Sequence, residues 1–382
     1  MPLKFVFGPS GSGKSTYLYQ HVIEESEKYP LKNFIVLVPE QFTMQTQKDL
    51  VSMHPRHGIM NIDVLSFARL AYRVFEETGT KQMQVLDDEG KNLILRKIAG
   101  DYENKLTVLK GNIKKLGYIS EVKSVISEFT QYDIGEEEMD EMLDHLDEDS
   151  RLYYKLKDIR LLYEGFQDYL RERYITKEEL LDVLNSQVKE SELLKNSVVV
   201  LDGFTGFTPV QNRLILELMR CCKEVWVTVT MDERENPYAY KHPYQLFGLS
   251  KQMVTTLVRM AGEDHIEVEE PVCLYGYPVK RFEKNQELAF LERNIFRYGA
   301  GRYDKAVENL EIHAAGNPRQ EADAVAEGIR RLVRKEQYRY RDIGVIVSDM
   351  NVYGDYLEQA FENYGIPVSY THLRAHETCA DL

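Results

Sequence analysis

Near the N-terminus, residues 8–15 have the sequence GPSGSGKS, which matches the phosphate-binding pattern G-x-x-x-x-G-K-[ST]. The apolar run at residues 3–7 predicts a short buried strand before this loop, and a helix is expected from about Lys14 to Lys28. In this order of elements, backbone N–H groups curl around phosphate oxygens and the helix N-terminus adds a partial positive charge. A chance glycine turn is the alternative, and the flanking pattern argues against it. The sequence therefore predicts a nucleotide site, for ATP and Mg²⁺, made of Gly8, Pro9, Ser10, Gly11, Ser12, Gly13, Lys14, Ser15 and Thr16.

Two side chains of this loop have separate expected roles. Lys14 is expected to reach the β- and γ-phosphates of the nucleotide. The hydroxyl of Ser15 is expected to hold Mg²⁺. The pattern alone does not choose among a kinase, a transporter ATPase, a GTPase and a helicase.

The length and composition of the chain set the broad class. With 382 residues, of which 43% are hydrophobic, the chain is long enough for two or three domains with real cores. No apolar run approaches the length of a membrane span, and the N-terminus lacks the pattern of a signal peptide. The cysteines have no metal-type spacing and are expected to be reduced thiols, so we expect a cytoplasmic protein with no membrane contact. They are Cys221, Cys222, Cys273 and Cys379.

The charge of the chain excludes a protein that coats nucleic acid through a basic surface. The formal net charge is −14. Residues 133–149 contain ten acidic residues and no Lys or Arg, which predicts a solvated helix face or loop. This acidic run would repel a phosphate backbone, so any bound DNA is expected elsewhere.

Strand and helix patterns alternate in residues 1–84 and again in residues 196–296. A continuous apolar run at 33–38 predicts a buried strand of a parallel sheet, and further strands are predicted at 61–65, 197–201 and 224–230. The intervening helix patterns indicate an α/β fold class, in which ligands lie beyond the carboxyl ends of the strands. Segment 232–285 is polar, rich in Tyr and Pro, and unassigned.

The middle and the end of the chain suggest further units. Amphipathic helices follow one another between 85 and 195, and a new strand and helix pattern begins near 297, with strands expected at 309–314 and 342–348. We predict four parts: a split P-loop domain of residues 1–84 and 196–296, a helical insertion of residues 85–195, the start of a second α/β domain at 297–368, and a tail at 369–382 that is not native. A diverged native tail is the alternative.

Five segments of the chain together resemble a known family. The order of elements resembles the superfamily 1 helicase core. The amino-acid sequences of five segments resemble the N-terminal half of the AddB family. These segments are KFVFGPSGSGKSTYL, VPEQFTMQTQKDL, DVLSFARLAYRVFEETG, VVVLDGFTGFTPVQNRLI and AAGNPRQEADAVAEGIRRLV. The resemblance runs from Leu3 to about Val368. It implies a RecA-like P-loop sheet with an all-helical insertion and the start of a second RecA-like domain.

The resemblance also implies a function. AddB is one subunit of an ATP-dependent helicase/deoxyribonuclease that acts in double-strand-break repair by homologous recombination. An AddA-type partner is the motor of the heterodimer, and AddB helps recognise the Chi sequence in single-stranded DNA. The family's nuclease domain and its cysteine-ligated iron–sulfur cluster are expected only in the full-length family member.

One position departs from the pattern of active helicases. In those enzymes a buried strand ends in Asp-Glu, where the Asp holds Mg²⁺ through water and the Glu activates the attacking water. Here Asp202 is followed by Gly203. Loss of a general base removes about two to four orders of magnitude in rate. We therefore expect a site that binds ATP and hydrolyses it slowly, with Ser15 and Asp202 on the metal side and no assigned catalytic residue.

Residues after the second, third and fourth predicted strands are candidates for contacts with single-stranded DNA. Aromatic faces stack bases, and amide, hydroxyl and guanidinium groups contact base edges or phosphates. For Phe67 and Tyr72 the alternative is a core position on an amphipathic helix. The candidates are Gln41, Thr43, Phe67, Arg69, Tyr72 and Phe204.

Two other functions remain open at this point. A free-standing P-loop NTPase or kinase would turn over ATP without DNA or a partner. A structural module with a relic P-loop would not bind nucleotide.

Overall fold

The computed structural model describes residues 2–79, 84–113, 115–170, 174–176, 178–299 and 301–368. The chain forms two compact units, and the boundary between them lies between Lys284 and Asn285. The predicted tail at 369–382 lies outside the described residues.

A six-stranded sheet is the centre of the first unit. Its strand order is β3-β2-β6-β7-β1-β8, and every neighbouring pair is parallel; β4 and β5 form a separate parallel pair. This confirms the predicted α/β fold class. The strands are β1 (Leu3–Gly8), β2 (Asn33–Leu37), β3 (Ile62–Leu65), β4 (Gln84–Leu86), β5 (Tyr174–Thr176), β6 (Ser197–Leu201), β7 (Glu224–Thr230) and β8 (Val272–Cys273).

The sheet is covered by helices on both faces. Successive side chains of a strand point to opposite faces, so Phe5 and Phe7 of β1 join one apolar cluster and Val6 joins another. This arrangement explains why β6 is a continuous apolar run that is buried along its whole length. The helices of this unit are α1 (Lys14–Lys28), α2 (Thr43–Met53), α3 (Phe67–Thr78), α4 (Asp88–Asp101), α5 (Leu116–Gln131), α6 (Glu136–Asp144), α7 (Arg151–Leu170), α8 (Leu180–Gln187), α9 (Glu192–Lys195), α10 (Pro209–Cys221) and α11 (Gly248–Glu263).

Local signals in the sequence begin and end the helices that flank the site. At the start of α3 the side chain of Ser66 accepts a hydrogen bond from the backbone of Arg69, and α3 ends at Gly79 in the left-handed conformation. At the start of α10, Thr208 and Gln211 cap each other's backbone, and Pro209 is the first helical residue.

Helices α4 to α7 pack around an apolar core of their own. This core includes Leu95, Ile98, Leu162 and Phe166. The segment leaves and re-enters the rest of the unit at β4 and β5, which pair with each other. Helix α8 differs, because its buried leucines belong to the core beside the central sheet.

Two buried charged groups hold this helical segment together. The ammonium group of Lys91, 1% exposed, contacts both carboxylate oxygens of Glu178 at 2.7 and 2.9 Å. The carboxylate of Asp158, 2% exposed, accepts hydrogen bonds of 2.8–3.0 Å from the backbone N–H groups of Thr107, Val108 and Leu109. Because a buried carboxylate without donors is costly, Asp158 fixes the loop after α4 against α7.

The unassigned segment 232–285 contains α11 and β8. Helix α11 begins after Phe247, which has a φ of 59° and makes no side-chain cap. The sequence therefore lacks the usual Ser, Thr, Asp or Asn signal for a helix start. This absence explains why the helix was not predicted.

The cysteines of the first unit agree with the expected thiols where the structure describes them. Cys222 is buried, and burial raises the pKa of its thiol above the ordinary value. Burial also raises the pKa of the half-buried Cys221. Cys379 lies outside the described residues. No helix in the described ranges is long and apolar enough to cross a membrane.

The second unit consists of helices and extended segments. Its helices are α12 (Gln286–Asn294), α13 (Pro318–Lys335) and α14 (Met350–Tyr364), and α13 and α14 pack through Ala326, Ile329 and Phe361. The predicted strands at 309–314 and 342–348 are wrong, because neither segment is a strand in this structure. Apolar residues such as Ile312 and Ile346 favour extended backbone, but a strand also needs a hydrogen-bonded neighbour.

The buried carboxylate of Asp158 gives a test of how the helical segment is held together. We expect Asp158→Ala to lower the free energy of unfolding by about 2–3 kcal/mol, because it leaves the buried N–H of Leu109 and the partly buried N–H groups of Thr107 and Val108 without their acceptor, and a buried N–H left without an acceptor costs ~1–3 kcal/mol. Urea unfolding followed by circular dichroism measures the change. Asp140→Ala is the control, since Asp140 forms an exposed ion pair with Arg160 and its loss should cost less than about 1 kcal/mol. Equal losses for the two variants would contradict the assigned role of Asp158.

Candidate nucleotide site and nucleic-acid interface

The P-loop connects the carboxyl end of β1 to the first turn of α1. Gly11 and Gly13 have φ values of 82° and 93°, in the left-handed region that favours glycine. Gly13 precedes α1 and no side chain caps this helix. The amide groups of the first turn of α1 are therefore available to an anion.

Close contacts leave no room for larger residues in this loop. A Cβ atom on Gly8 would lie 2.4 Å from the hydroxyl oxygen of Ser12. A Cβ atom on Gly11 would lie 2.7 Å from the Cβ of Arg281. Gly8 is thus required by space and Gly13 by its left-handed backbone, while Gly11, which is not a fixed position of the pattern, is favoured on both grounds.

The polar side chains of the loop fit a phosphate group. The ammonium group of Lys14 donates to the backbone oxygens of Gly8 at 2.9 Å and Pro9 at 3.0 Å, so it lies directly over the loop. The buried hydroxyl of Ser12 has no hydrogen-bond partner among the described residues. A buried polar group of this kind needs an explanation, and a phosphate oxygen between these donors would supply the acceptor.

Asp202 lies beside the P-loop at the carboxyl end of β6. Its backbone N–H donates to the oxygen of Leu37 on the neighbouring strand at 3.0 Å, which fixes its position. Ser15 donates to its Oδ1 at 3.1 Å and Thr228 donates to the same oxygen at 2.5 Å. A serine hydroxyl next to a carboxylate is an oxygen-only set of the kind that Mg²⁺ prefers. The residues present therefore fit the metal that the P-loop implies.

A third hydroxyl reaches Asp202 from α1. Tyr19 donates to Oδ2 of Asp202 at 2.7 Å, and its oxygen lies 3.3 Å from Oγ1 of Thr46 on α2. Burial, together with the negative charge of Asp202, raises the pKa of Tyr19 well above its ordinary value. The phenol thus keeps its proton and remains a donor. Tyr19, Thr46 and Thr228 were not predicted from the sequence, because nothing in their local pattern shows their long-range partner.

A basic turn after β8 also contacts the P-loop. The backbone N–H of Arg281 donates to the oxygen of Gly11 at 3.0 Å, and the side chain of Lys280 lies beside Gly13. Both side chains are exposed, and neither has an ion-pair partner within the described part of the chain; Val279 anchors the turn in the core. These residues were not predicted from the sequence because they lie in the unassigned segment. The signal that could have found them was a pair of basic residues soon after a short strand.

The candidate DNA residues lie at the same edge of the sheet as the P-loop. Strands β3, β2 and β6 are adjacent and parallel, so the loops after them share one edge. Gln41 is exposed in a short 3₁₀ turn after β2. Thr43 differs from it, because its side chain is buried and its hydroxyl donates to the backbone oxygen of Glu40 at 2.9 Å.

The remaining candidates divide into exposed and buried side chains. Arg69 is exposed and Tyr72 is 41% exposed on the outer face of α3. Phe67 is only 7% exposed and lies in the core, with ring centroids 5.4 Å from Phe204 and 6.4 Å from Phe207. Phe204 itself is half-buried. Contact of Phe67 and Phe204 with DNA stays a prediction.

One exposed aromatic residue at this edge was missed. Phe42 is 45% exposed and directly follows Gln41. It lies in the 3₁₀ turn that precedes α2. The exposure of a large aromatic ring at the carboxyl edge of a parallel sheet is the signal that the structure adds.

Gly203 follows Asp202 at the point where active helicases have a glutamate. Its φ is 80°, a conformation that residues with a Cβ atom rarely adopt. Position 203 therefore lacks a glutamate, and its backbone conformation also disfavours one.

These observations define the class of the protein: a RecA-like α/β protein with a P-loop between its first strand and first helix. A family profile described as "ADDB, N-terminal" matches residues 5–292. The chain belongs to this family, and the predicted resemblance is confirmed.

Curated relatives agree with this assignment. The chain is 44% identical to the B subunit of an ATP-dependent helicase/deoxyribonuclease of Lachnoclostridium phytofermentans, over 97% of this chain and 33% of the relative. Relatives of the same name from Caldanaerobacter subterraneus subsp. tengcongensis and Clostridium kluyveri are 35% and 34% identical, over 96% of this chain and 31% and 32% of their lengths. The chain thus spans about a third of the length of these relatives.

The two alternatives for Phe67 on α3, contact with DNA and a core position, predict opposite effects of its substitution on stability. Substitution of the exposed Arg69 serves as the comparison. We expect Phe67→Ala to lower the free energy of unfolding by about 3–5 kcal/mol, because Phe67 is buried in the aromatic cluster. We expect Arg69→Ala to leave stability within about 0.5 kcal/mol, because its side chain is exposed. Thermal and urea unfolding of both variants measure the difference. A stable Phe67→Ala variant would show that the ring does not support the core.

Proposed function

We propose that this chain is the ATP-binding and single-strand-binding part of the AddB-type subunit of an ATP-dependent helicase/deoxyribonuclease. The observation that carries the proposal is the meeting of the P-loop, Ser15 and Asp202 at the edge of the sheet where the exposed candidates for DNA contact also lie. Membership of the AddB family supports it. The role of the whole protein is then helicase and exonuclease activity in double-strand-break repair by recombination.

The nucleotide site is built to hold phosphates. Lys14 and the amide groups at the start of α1 bind the phosphate oxygens, and Ser12 supplies a buried hydroxyl. Lys280 and Arg281 add positive charge above the loop. Bound Mg²⁺ would neutralise phosphate charge, with Ser15 as its ligand and Asp202 as the carboxylate beside it.

Slow hydrolysis follows from the loop after β6. No carboxylate stands at position 203, and the left-handed backbone there disfavours one. We propose that ATP acts in this chain as a bound ligand, while an AddA-type partner subunit supplies the motor activity. The relatives are named as one subunit of an enzyme, which supports the existence of a partner.

Single-stranded DNA lies, in this proposal, along the loops after β3, β2 and β6. The chain is acidic overall, so attraction to the phosphate backbone is weak and local contacts must supply the affinity. Gln41 and Arg69 offer polar groups for base edges and phosphates, while Phe42 and Tyr72 offer exposed rings for stacking. This face is where we propose that the strand is read for Chi, in the cytoplasm and away from membranes. The iron–sulfur cluster and the nuclease belong to the remaining two-thirds of such a subunit.

Loss of the P-loop lysine tests the nucleotide site. We expect Lys14→Ala to weaken binding of Mg·ATP by about tenfold to a hundredfold, which corresponds to losing charge-assisted hydrogen bonds of about 1.5–3 kcal/mol. Equilibrium titration with a fluorescent ATP analogue measures the affinity. Lys28→Ala is the control, because Lys28 is an exposed lysine at the opposite end of the same helix. Unchanged affinity in Lys14→Ala would remove the P-loop from the proposed site.

The loop after β6 gives a prediction on hydrolysis. We expect the complete subunit, purified without its partner, to turn over fewer than about one ATP per second, the low end of ordinary enzymes. Gly203→Glu should not raise this rate, because the left-handed backbone at 203 holds the new carboxylate in a strained position. A coupled ADP-release assay follows both proteins. Faster turnover by the unmodified subunit would mean that another residue serves as the base.

Loss of an exposed guanidinium group tests the proposed DNA face. We expect Arg69→Ala to weaken binding of single-stranded DNA by about 1–3 kcal/mol. Fluorescence anisotropy of a labelled oligonucleotide measures the affinity. Arg56→Ala removes the same charge from a loop before β3, at the amino edge of the sheet, and should leave the affinity unchanged. Equal effects of the two variants would show that only the overall charge matters.

A further inference from the structure

A chain of buried hydroxyl groups connects the metal side of the nucleotide site to α2. It begins at Oδ2 of Asp202, passes through the hydroxyl of Tyr19 at 2.7 Å and reaches Oγ1 of Thr46 at 3.3 Å. All three side chains are at most 5% exposed. In such surroundings the hydrogen bonds are strong and the loss of one partner is costly.

The first end of this series of hydrogen bonds is the carboxylate of Asp202, through which the series contacts the nucleotide site. Asp202 accepts from Ser15 and Thr228 on Oδ1 and from Tyr19 on Oδ2. Ser15 is the residue whose hydroxyl fits Mg²⁺. Beside a bound cation, the negative charge of the Asp202 carboxylate would shift toward Oδ1, and the hydrogen bond that Oδ2 accepts from Tyr19 would change in strength.

At its second end, the chain reaches the element that carries the exposed turn after β2. Thr46 lies in the first turn of α2, which follows directly from the 3₁₀ turn Glu40–Phe42. The hydroxyl of Thr43 donates to the oxygen of Glu40 and ties the two turns together. A shift of α2 at Thr46 therefore moves Gln41 and Phe42, which are exposed at the proposed DNA face.

We propose that Tyr19 is a positioning residue that couples binding of a magnesium nucleoside triphosphate at the P-loop to binding of single-stranded DNA at the turn Glu40–Phe42. The inference rests on the proposed function, because it requires both ligands. Tyr19 touches neither of them. Its hydroxyl makes the arrangement of α2 depend on the state of Asp202, and by linkage DNA changes the affinity for nucleotide by the same factor.

A purely structural role of Tyr19 gives a different result. A buried phenol needs a hydrogen-bond partner, and Asp202 and Thr46 supply one whether or not the two ligands are coupled. In that case Tyr19→Phe lowers stability and leaves the ratio of DNA affinities unchanged. The coupling factor, and not the stability, is therefore the quantity that decides.

The experiment measures the affinity of the complete subunit for a fluorescent oligothymidine with and without Mg²⁺ and the non-hydrolysable analogue AMP-PNP. We expect the DNA affinities measured with and without the nucleotide to differ by a ratio of about fivefold or more in the unmodified protein. This value is the lower bound of common allosteric coupling. In Tyr19→Phe and in Thr46→Val, which each remove one hydroxyl and keep the shape, the ratio should fall close to one. The double variant should show no further fall of the affinity ratio, because Tyr19 and Thr46 belong to one series of hydrogen bonds.

Two further variants serve as controls. Tyr17→Phe removes the hydroxyl of a half-buried tyrosine on the same helix whose side chain makes no hydrogen bond within the described residues, and it should keep the ratio. Thr228→Val removes a donor to Oδ1 of Asp202 on the side away from α2. It should change the affinity for nucleotide and keep the coupling to DNA.

The outcomes separate this inference from the proposed function. Loss of coupling in Tyr19→Phe and Thr46→Val, with both ligands still bound, supports the inference. A full ratio in both variants, or a ratio of one in the unmodified protein that nonetheless binds both ligands, overturns the inference alone. An unmodified protein that binds no nucleotide overturns the proposed function and the inference with it.

Discussion

The buried carboxylate of Asp202 is the group on which the candidate nucleotide site depends. It accepts hydrogen bonds from the hydroxyl groups of Ser15, Tyr19 and Thr228, which come from α1 and β7. A buried charge without such donors would cost far more than the stability of a single helix. The carboxylate therefore fixes how α1 lies against the ends of β6 and β7. A change of one residue in the register of these strands would separate the carboxylate from its donors.

Much of the first unit could be predicted from the sequence because its signals are local. The P-loop pattern predicted α1 from Lys14 to Lys28 as the structure has it, and the apolar runs at 197–201 and 224–230 are strands over the same residues. The hydrophobic period of a helix or strand, and the residue types that favour turns, are properties of short stretches of chain. The amphipathic helix that the sequence offered as the alternative for Phe67 and Tyr72 is α3, whose apolar face is buried. This is why long, strongly patterned elements were predicted with nearly correct bounds.

What could not be predicted depends on residues far apart in the chain. Arg281 contacts Gly11 across 270 positions of sequence, and Tyr19 meets Asp202 across 183. No local pattern encodes such a contact. Similarly, the strand prediction at 309–314 used side-chain pattern alone, while strand formation also requires a neighbouring backbone. The loop of the candidate site could thus be located from one stretch of sequence, whereas the contacts that distant segments make with it could not.

Phe67 illustrates a conflict between two demands on aromatic residues. Its position on α3 follows a strand at the ligand edge, which favours contact with DNA, yet its ring packs against Phe204 and Phe207. The rings of Phe42 and Tyr72 are exposed at this face instead. Stacking on a base requires an open ring face, so exposure carries information that residue type and position do not.

The pairing of β4 with β5 has a consequence for how the family can vary. The helical segment leaves and returns at one point, where Val85 pairs with Ile175. The entropy cost of closing a loop rises only with the logarithm of its length, so lengthening the segment beyond this junction adds little to the cost of folding. Insertions, deletions and the drift of residues between the two strands can then accumulate without disturbing the register of the central sheet. In evolutionary terms, the junction allows the helical segment to change independently of the sheet that carries the P-loop.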